Sequence, residues 1–261
     1  MSGDARFRAA GRALRAASIA ALCGSCVPEE PLAPYTPFLV VHAVLDLGAQ
    51  RQAAHVRWRR PFTGNFDDYW VNDATIVVTG PDGGMFGSSN QQDGRYRIHT
   101  GFNLVPGGTY TLRVTLRTGE EVTGETSIPA ATPAGVDTVT IPFRSDRDTL
   151  RLSWPRAPGA ARYLVDIRRD LGSGGLYPSF DYSFFADTSV ELAGTARSFE
   201  DPIFPSGNPI IVSVSAVDEN YYEYYRSRTD PFIGAAPSRL VGAQGVFGSI
   251  VPIIVRRYQV D

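Results

Sequence analysis

The chain has 261 residues, 43% of them hydrophobic and 20% charged, with 26 glycines and 19 prolines. That length allows one large or two medium domains with adequate cores, and the Gly/Pro content points to short strands and turns rather than helices. A formal net charge of −2 argues against a nucleic-acid partner, which usually needs a basic face.

The first expected element, residues 1–25, is a targeting segment. Arg6, Arg8, Arg12 and Arg15 precede a short apolar run at 16–22, and both cysteines follow in Leu22-Cys23-Gly24-Ser25-Cys26. A basic stretch, a short apolar run and small residues before a cut describe a secretory signal, and the run is too short to span a bilayer. Gly24-Ser25 ahead of Cys26 resembles the lipobox of bacterial lipoproteins, which implies that Cys26 is lipid-modified and ties the protein to a membrane. A thioredoxin-like Cys-x-x-Cys needs to open a helix inside a βαβ unit, but here Pro28 follows. A zinc site needs two more ligands, and His42, His55 and His99 show no ligand spacing. Val27 after the cysteine, by resemblance to Gram-negative lipoprotein sorting, implies the outer membrane, with the leaflet left open.

Residues 26–37 read as anchor and spacer. Pro28, Pro31, Pro34 and Pro37 fall every third residue, the repeat of polyproline II, and eleven residues at about 3.1 Å each reach about 34 Å. A plain tether with chance spacing predicts the same biology.

Residues 38–129 read as a first sandwich of the immunoglobulin-like kind. An apolar run opens it at 38–45, and Ala54-x-Val56-x-Trp58 then alternates with a period of two. The run at 75–79 ends in the turn cluster Gly80-Pro81-Asp82-Gly83-Gly84. Tyr96-Arg97-Ile98-His99, the alternating Tyr110 to Leu116 and the stretch at 122–128 complete the set. Short strands with a turn about every ten residues read as an antiparallel β-sandwich.

Small residues at 130–137 read as a linker, and 138–261 as a second sandwich. Leu150-x-Leu152-x-Trp154, Tyr163-x-Val165-x-Ile167 and the run at 210–218 resemble strands B, C and F of a fibronectin type III domain. The resemblance implies a core pairing of Trp154 with Tyr163. Ile210 stands where a strand-F tyrosine is common, so no tyrosine corner is expected there. The fold class expected is therefore all-β, two tandem antiparallel β-sandwiches after a lipoprotein signal peptide.

For chemistry the chain offers no Gly-x-Ser-x-Gly elbow, His-Glu-x-x-His, phosphate loop or dinucleotide fingerprint. The glycine-rich 172–175 lacks the following helix that a phosphate cradle needs. The histidines lie among strand residues without a triad arrangement, and solvent-facing positions are their default. No catalytic residue, cofactor or metal ligand is expected.

Two aromatic stretches remain. Tyr221, Tyr222, Tyr224, Tyr225 and Arg226 follow Asp218-Glu219-Asn220, and four tyrosines in five positions cannot all enter one strand's core. Either some lie at the surface or the segment turns helical. Tyrosine's flat face and polar tip suit sugars or protein interfaces, while the plainer reading has them capping a sandwich end. The acids and Asn220 are hard oxygen ligands, but the stretch lacks the alternation and central glycine of a calcium loop. Phe66, Tyr69 and Trp70, beside Asp67 and Asp68, read as a ligand-binding loop or as aromatics folded over an open sheet edge.

With the lipobox, the two sandwich patterns and a C-terminal Gly245-Val246-Phe247-Gly248-Ser249 strand preceded by Asp230-Pro231-Phe232, the chain resembles a domain-of-unknown-function family of Gram-negative outer-membrane lipoproteins. That resemblance implies a non-enzymatic accessory or interaction module at the cell envelope, associated with a TonB-dependent outer-membrane barrel. The alternatives are a surface glycan-binding module using the exposed aromatics and, more remotely, a hydrolase with an unrecognised site.

Overall fold

A computed structural model describes residues 37–49, 52–59, 69–99, 104–135, 137, 139–170, 182–198, 201–207, 209–227 and 236–261. Outside the described residues lie the targeting segment with Cys26, most of the spacer, Phe66 with Asp67 and Asp68, the glycines at 172–175, and residues 230–232. The described chain is all-β apart from one helix.

The first half contributes β1 (Phe38–Asp46), β2 (Gln52–Arg59), β3 (Tyr69–Trp70), β4 (Thr75–Thr79), β5 (Met85–Asn90), β6 (Arg95–Ile98), β7 (Thr109–Thr115) and β8 (Glu121–Ser127). Their hydrogen-bonded order is β1-β2-β6-β5-β4-β7-β8. β5 changes sheets midway. Met85 to Gly87 pair with β4, and Ser88 to Asn90 pair with β6. One layer is thus β1-β2-β6 with the end of β5, and the other is β4-β7-β8 with its start, the division of an immunoglobulin-like sandwich. Alternation puts Val41, Ala43, Val56, Ile76, Val78, Leu112 and Val114 inside, all fully buried.

Two buried tyrosines anchor that core by their hydroxyls. Tyr96 Oη accepts the Ala74 N–H at 3.0 Å and donates to the Val71 carbonyl at 2.7 Å. Tyr110, at the start of β7, accepts the Val105 N–H at 2.8 Å, the arrangement of a tyrosine corner.

The second half contributes β9 (Thr140–Phe143), β10 (Thr149–Ser153), β11 (Arg162–Arg169), β12 (Tyr182–Ala186), β13 (Ser189–Ala193), the two-residue β14 (Arg197–Ser198) and β15 (Asp201–Pro202), β16 (Pro209–Val217) and β17 (Gln244–Val260). The order β12-β11-β16-β17 forms one layer and β10-β13 the other. Trp154, just past β10, meets Tyr163 of β11 at 5.4 Å between ring centroids, so the expected core pair is present. The Tyr163 hydroxyl accepts the Ala157 N–H at 2.6 Å. Ile210 is buried on β16 opposite Tyr258.

β17 joins the halves into one sheet. Its first residues run parallel to β1, with Val40 opposite Gln244 and Asp46 opposite Ile250. From Ile250 onward it pairs antiparallel with β16. Gly245 sits at φ 120°, and a Cβ there would collide with the Val41 carbonyl oxygen, so glycine is what lets β1 approach. The register slips between Val214 and Ser215, beside Pro252, which cannot donate to a ladder and suits a bulge. The stretch expected as a linker is tied down: Ala130 donates to the Pro158 carbonyl, Ala134 to Pro252 and Asp137 to Val255.

Candidate functional site

Alternation sends every second residue of these strands away from the sandwich cores, onto a face that both halves share through β17. Two rows cross it. Asp166 of β11 lies between Ser183 of β12 and Ser213 of β16. Leu164 lies between Phe185 and Ser215, and Pro252 follows on β17. On the far side, His42 is opposite His55, and Val44 opposite Ala53. The face is hollowed into an open cleft of about 1130 Å³, with Asp46, His42, Asp166, Arg168, Tyr221 and Tyr225 among its lining residues.

One wall is the helix α1 (Glu219–Ser227), which carries the tyrosines that the sequence left undecided between surface and helical turn. Asp218 precedes it as N-cap: its Oδ1 accepts the Tyr221 N–H at 3.0 Å. The same oxygen accepts the Ser249 N–H at 2.9 Å, and Oδ2 accepts the Thr126 hydroxyl at 2.7 Å. Asn220 adds bonds to the Glu125 and Phe247 carbonyls. These contacts seat the helix where β16 has ended and the edge of β17 would otherwise be bare.

The tyrosines divide by helical spacing. Tyr221 and Tyr225, four apart, face the cleft with ring centroids 4.3 Å apart. Tyr225 Oη is 2.5 Å from His42 Nε2. Tyr224 stands behind, edge-on to His42 at 5.9 Å. Tyr222 meets Phe185 edge-on at 5.0 Å and lies under the guanidiniums of Arg162 and Arg226. Arg226 lines the cleft and is held by Glu223. All four tyrosines are half-buried, so each belongs to both wall and surface.

Burial sets the electrostatics. Asp166 is only 8% exposed, and its carboxyl is pushed up to about 6 by loss of water, with Arg168 pulling the other way. Burial also raises Asp46, against the backbone N–H groups of Gly48 and Ala49. The Tyr221 phenol is driven upward by burial first, then by Tyr225, Asp166 and Asp46 nearby. His55 is pushed down by burial and by the charges of Arg95 and Arg57, which favours its neutral form.

Of the residues expected as binding candidates, Tyr221, Tyr225 and Arg226 come together in the cleft, and Tyr222 and Tyr224 support its wall. Tyr69 and Trp70 lie elsewhere, on β3 against Trp58 and Arg57, at 43% and 41% exposed. Phe66 and Cys26 fall outside the described residues. The sequence reading missed Asp46, Asp166, Arg168, Ser213 and the cleft positions of His42 and His55. The one available signal was a charge, Asp166, inside the alternating Tyr163-x-Val165-x-Ile167 strand. Among the described residues no group of three or more His, Cys, Asp or Glu stands close enough to hold a metal ion. No helix among them is long and apolar enough to cross a membrane.

Residues 27–250 match the family described as "Domain of unknown function (DUF4249)". No curated protein matches the chain. Among solved structures, a two-domain fibronectin type III segment of chicken tenascin aligns at 19% identity over 64% of this chain and 85% of that one, with a TM-score of 0.21. The N-terminal four immunoglobulin domains of Dscam1 isoform 8.4 align at 12% identity over 85% of this chain and 51% of that one, with a TM-score of 0.21.

Proposed function

The chain belongs to this domain-of-unknown-function family, and on that premise we propose that it is a non-enzymatic, lipid-anchored accessory module of the Gram-negative outer membrane that holds a ligand in its cleft. The observation that carries the reading is that both halves build the cleft. Two independent sandwiches would leave these strand faces flat and separate, whereas strands of both halves, joined by β17 and walled by α1, line an open cleft of about 1130 Å³. That is the scale of small-ligand sites, which are concave and combine apolar walls with a few polar groups. The lipobox-like Gly24-Ser25-Cys26 supports anchoring at Cys26. The sequence resemblance to outer-membrane lipoproteins supports a TonB-dependent barrel as partner.

The test is a gentle-detergent pull-down of the tagged protein from isolated outer membranes, with mass spectrometry of the co-purifying proteins. Co-purification of a TonB-dependent barrel, with membrane retention lost in Cys26→Ala, is the expected result. Recovery of the wild-type chain in the soluble cytoplasmic fraction, or retention undiminished by Cys26→Ala, overturns the reading.

A further inference from the structure

Buried carboxylates are normally paired or fully hydrogen-bonded. Asp218 follows that rule, with Thr126, Tyr221 and Ser249 all donating to it. Asp166 does not. It is more than nine-tenths buried, and no hydrogen bond or ion pair among the described residues engages its carboxylate. Its neighbours in the two flanking strands, Ser183 and Ser213, are small and leave it uncovered towards the cleft. Arg168, two residues along on the same face, makes no ion pair with it.

The charges of the cleft decide what could satisfy this group. Two carboxylates, Asp46 and Asp166, stand among its lining residues with two guanidiniums, Arg168 and Arg226. The formal charges of these four lining groups cancel, with Glu223 behind Arg226 adding a carboxylate outside the lining and His55 favoured neutral. A polyanion would meet the carboxylates and a polycation the guanidiniums. A neutral molecule rich in hydroxyls would meet neither penalty: it donates to carboxylates, accepts from guanidinium and serine, and lays its C–H face on tyrosine.

We propose that the cleft binds a neutral oligosaccharide, with Asp166 accepting sugar hydroxyls, Arg168 and Ser213 completing the polar floor, and Tyr221 and Tyr225 as the stacking wall. This deepens the ligand-holding reading above and rests on it. It places the sugar against the joined sheet, not against Tyr69 and Trp70.

Isothermal titration of the full lipoprotein, in a detergent without a sugar headgroup, tests it with five probes: maltohexaose, cellohexaose, xylohexaose, tri-galacturonate and spermidine. At least one neutral hexasaccharide should bind, the charged probes should bind at least tenfold more weakly, and Asp166→Leu should weaken the hexasaccharide at least tenfold. Ser213→Trp, which fills the floor, should abolish it, and Tyr69→Ala should leave it unchanged. If tri-galacturonate or spermidine binds instead and Ser213→Trp abolishes that, the cleft is a ligand site and the sugar inference is wrong. If no probe binds, the sugar inference is also overturned, and the cleft reading is then decided by whether native mass spectrometry finds a bound small molecule on the wild-type chain that Ser213→Trp lacks. Hexasaccharide binding that survives both Asp166→Leu and Ser213→Trp puts the sugar elsewhere and overturns the assignment to this cleft.

Discussion

Asp166→Asn should stabilise the protein at neutral pH and scarcely affect it in mild acid. The fold holds the Asp166 proton more tightly than the unfolded chain does, with a pKa of about 6 against the ordinary 3.8. Ionised Asp166 therefore weakens the fold: the cost is absent well below pH 3.8, grows as pH rises towards 6, and is complete above it. At about 1.36 kcal/mol per pH unit, the full cost is on the order of 3 kcal/mol. An amide keeps the shape without the charge, but it remains a buried polar group without a partner, which costs about 1 kcal/mol. The net gain near pH 7.5 is about 2 kcal/mol, or roughly 4–8 °C in Tm for a domain of this size. Near pH 4.5 the carboxyl is largely protonated in the fold, and the gain falls to about zero. The titratable and charged groups around the carboxyl are Arg168 on its own strand, Tyr221 of α1 and Asp46 across the cleft. Thermal melts of both proteins at the two pH values measure the effect. A lower Tm for Asp166→Asn at pH 7.5, or the same shift at both pH values, would rule out a destabilising Asp166 charge. A residue that weakens its own fold while facing a cleft is what a binding role would preserve.

Asp218→Ala should cost about 3 kcal/mol, because it removes a helix cap and leaves the Ser249 N–H and Thr126 hydroxyl without their acceptor. Denaturant titration reads that loss, and amide exchange should quicken in α1 first; a loss below about 1 kcal/mol contradicts the linking role. Tyr110→Phe removes the acceptor of the Val105 N–H and should cost about 1–2 kcal/mol by the same titration. Gly245→Ala forces a Cβ onto the Val41 carbonyl at φ 120°. It should lower Tm by roughly 10 °C or more through loss of the β1–β17 pairing, and a melt within 2 °C of wild type would show that the sheet tolerates a wider approach.

Much of the fold was legible because alternation is a local signal. Ala54-x-Val56, Tyr110 to Leu116 and Tyr163-x-Val165-x-Ile167 each read as half-buried strands and form β2, β7 and β11. Even the Trp154–Tyr163 core pair followed from the fibronectin-like pattern. β5, with the sequence Met85-Phe86-Gly87-Ser88-Ser89-Asn90, escaped because its apolar signal is weak and its partners change midway. The joining of the halves escaped for a different reason. Val41 and Gly245 are about 200 positions apart, and their parallel pairing leaves no local mark beyond one glycine. The site depended on that joining. Asp46 and Asp166 drew no reading from the sequence, because what brings them together is β17 placing their strands in one sheet and Asp218 pinning α1 above it. The tyrosines drew attention by composition alone, and only helical geometry separates Tyr221 and Tyr225 from Tyr222 and Tyr224.

Whether the shared cleft holds a ligand is best decided by native mass spectrometry of the full chain isolated from its native cells, comparing wild type with Ser213→Trp. A ligand-holding cleft requires a non-covalent small-molecule adduct on the wild-type chain that is absent from the variant, with both chains equally folded. An adduct of the same mass and occupancy on both proteins, or a wild-type chain free of any adduct, would contradict it.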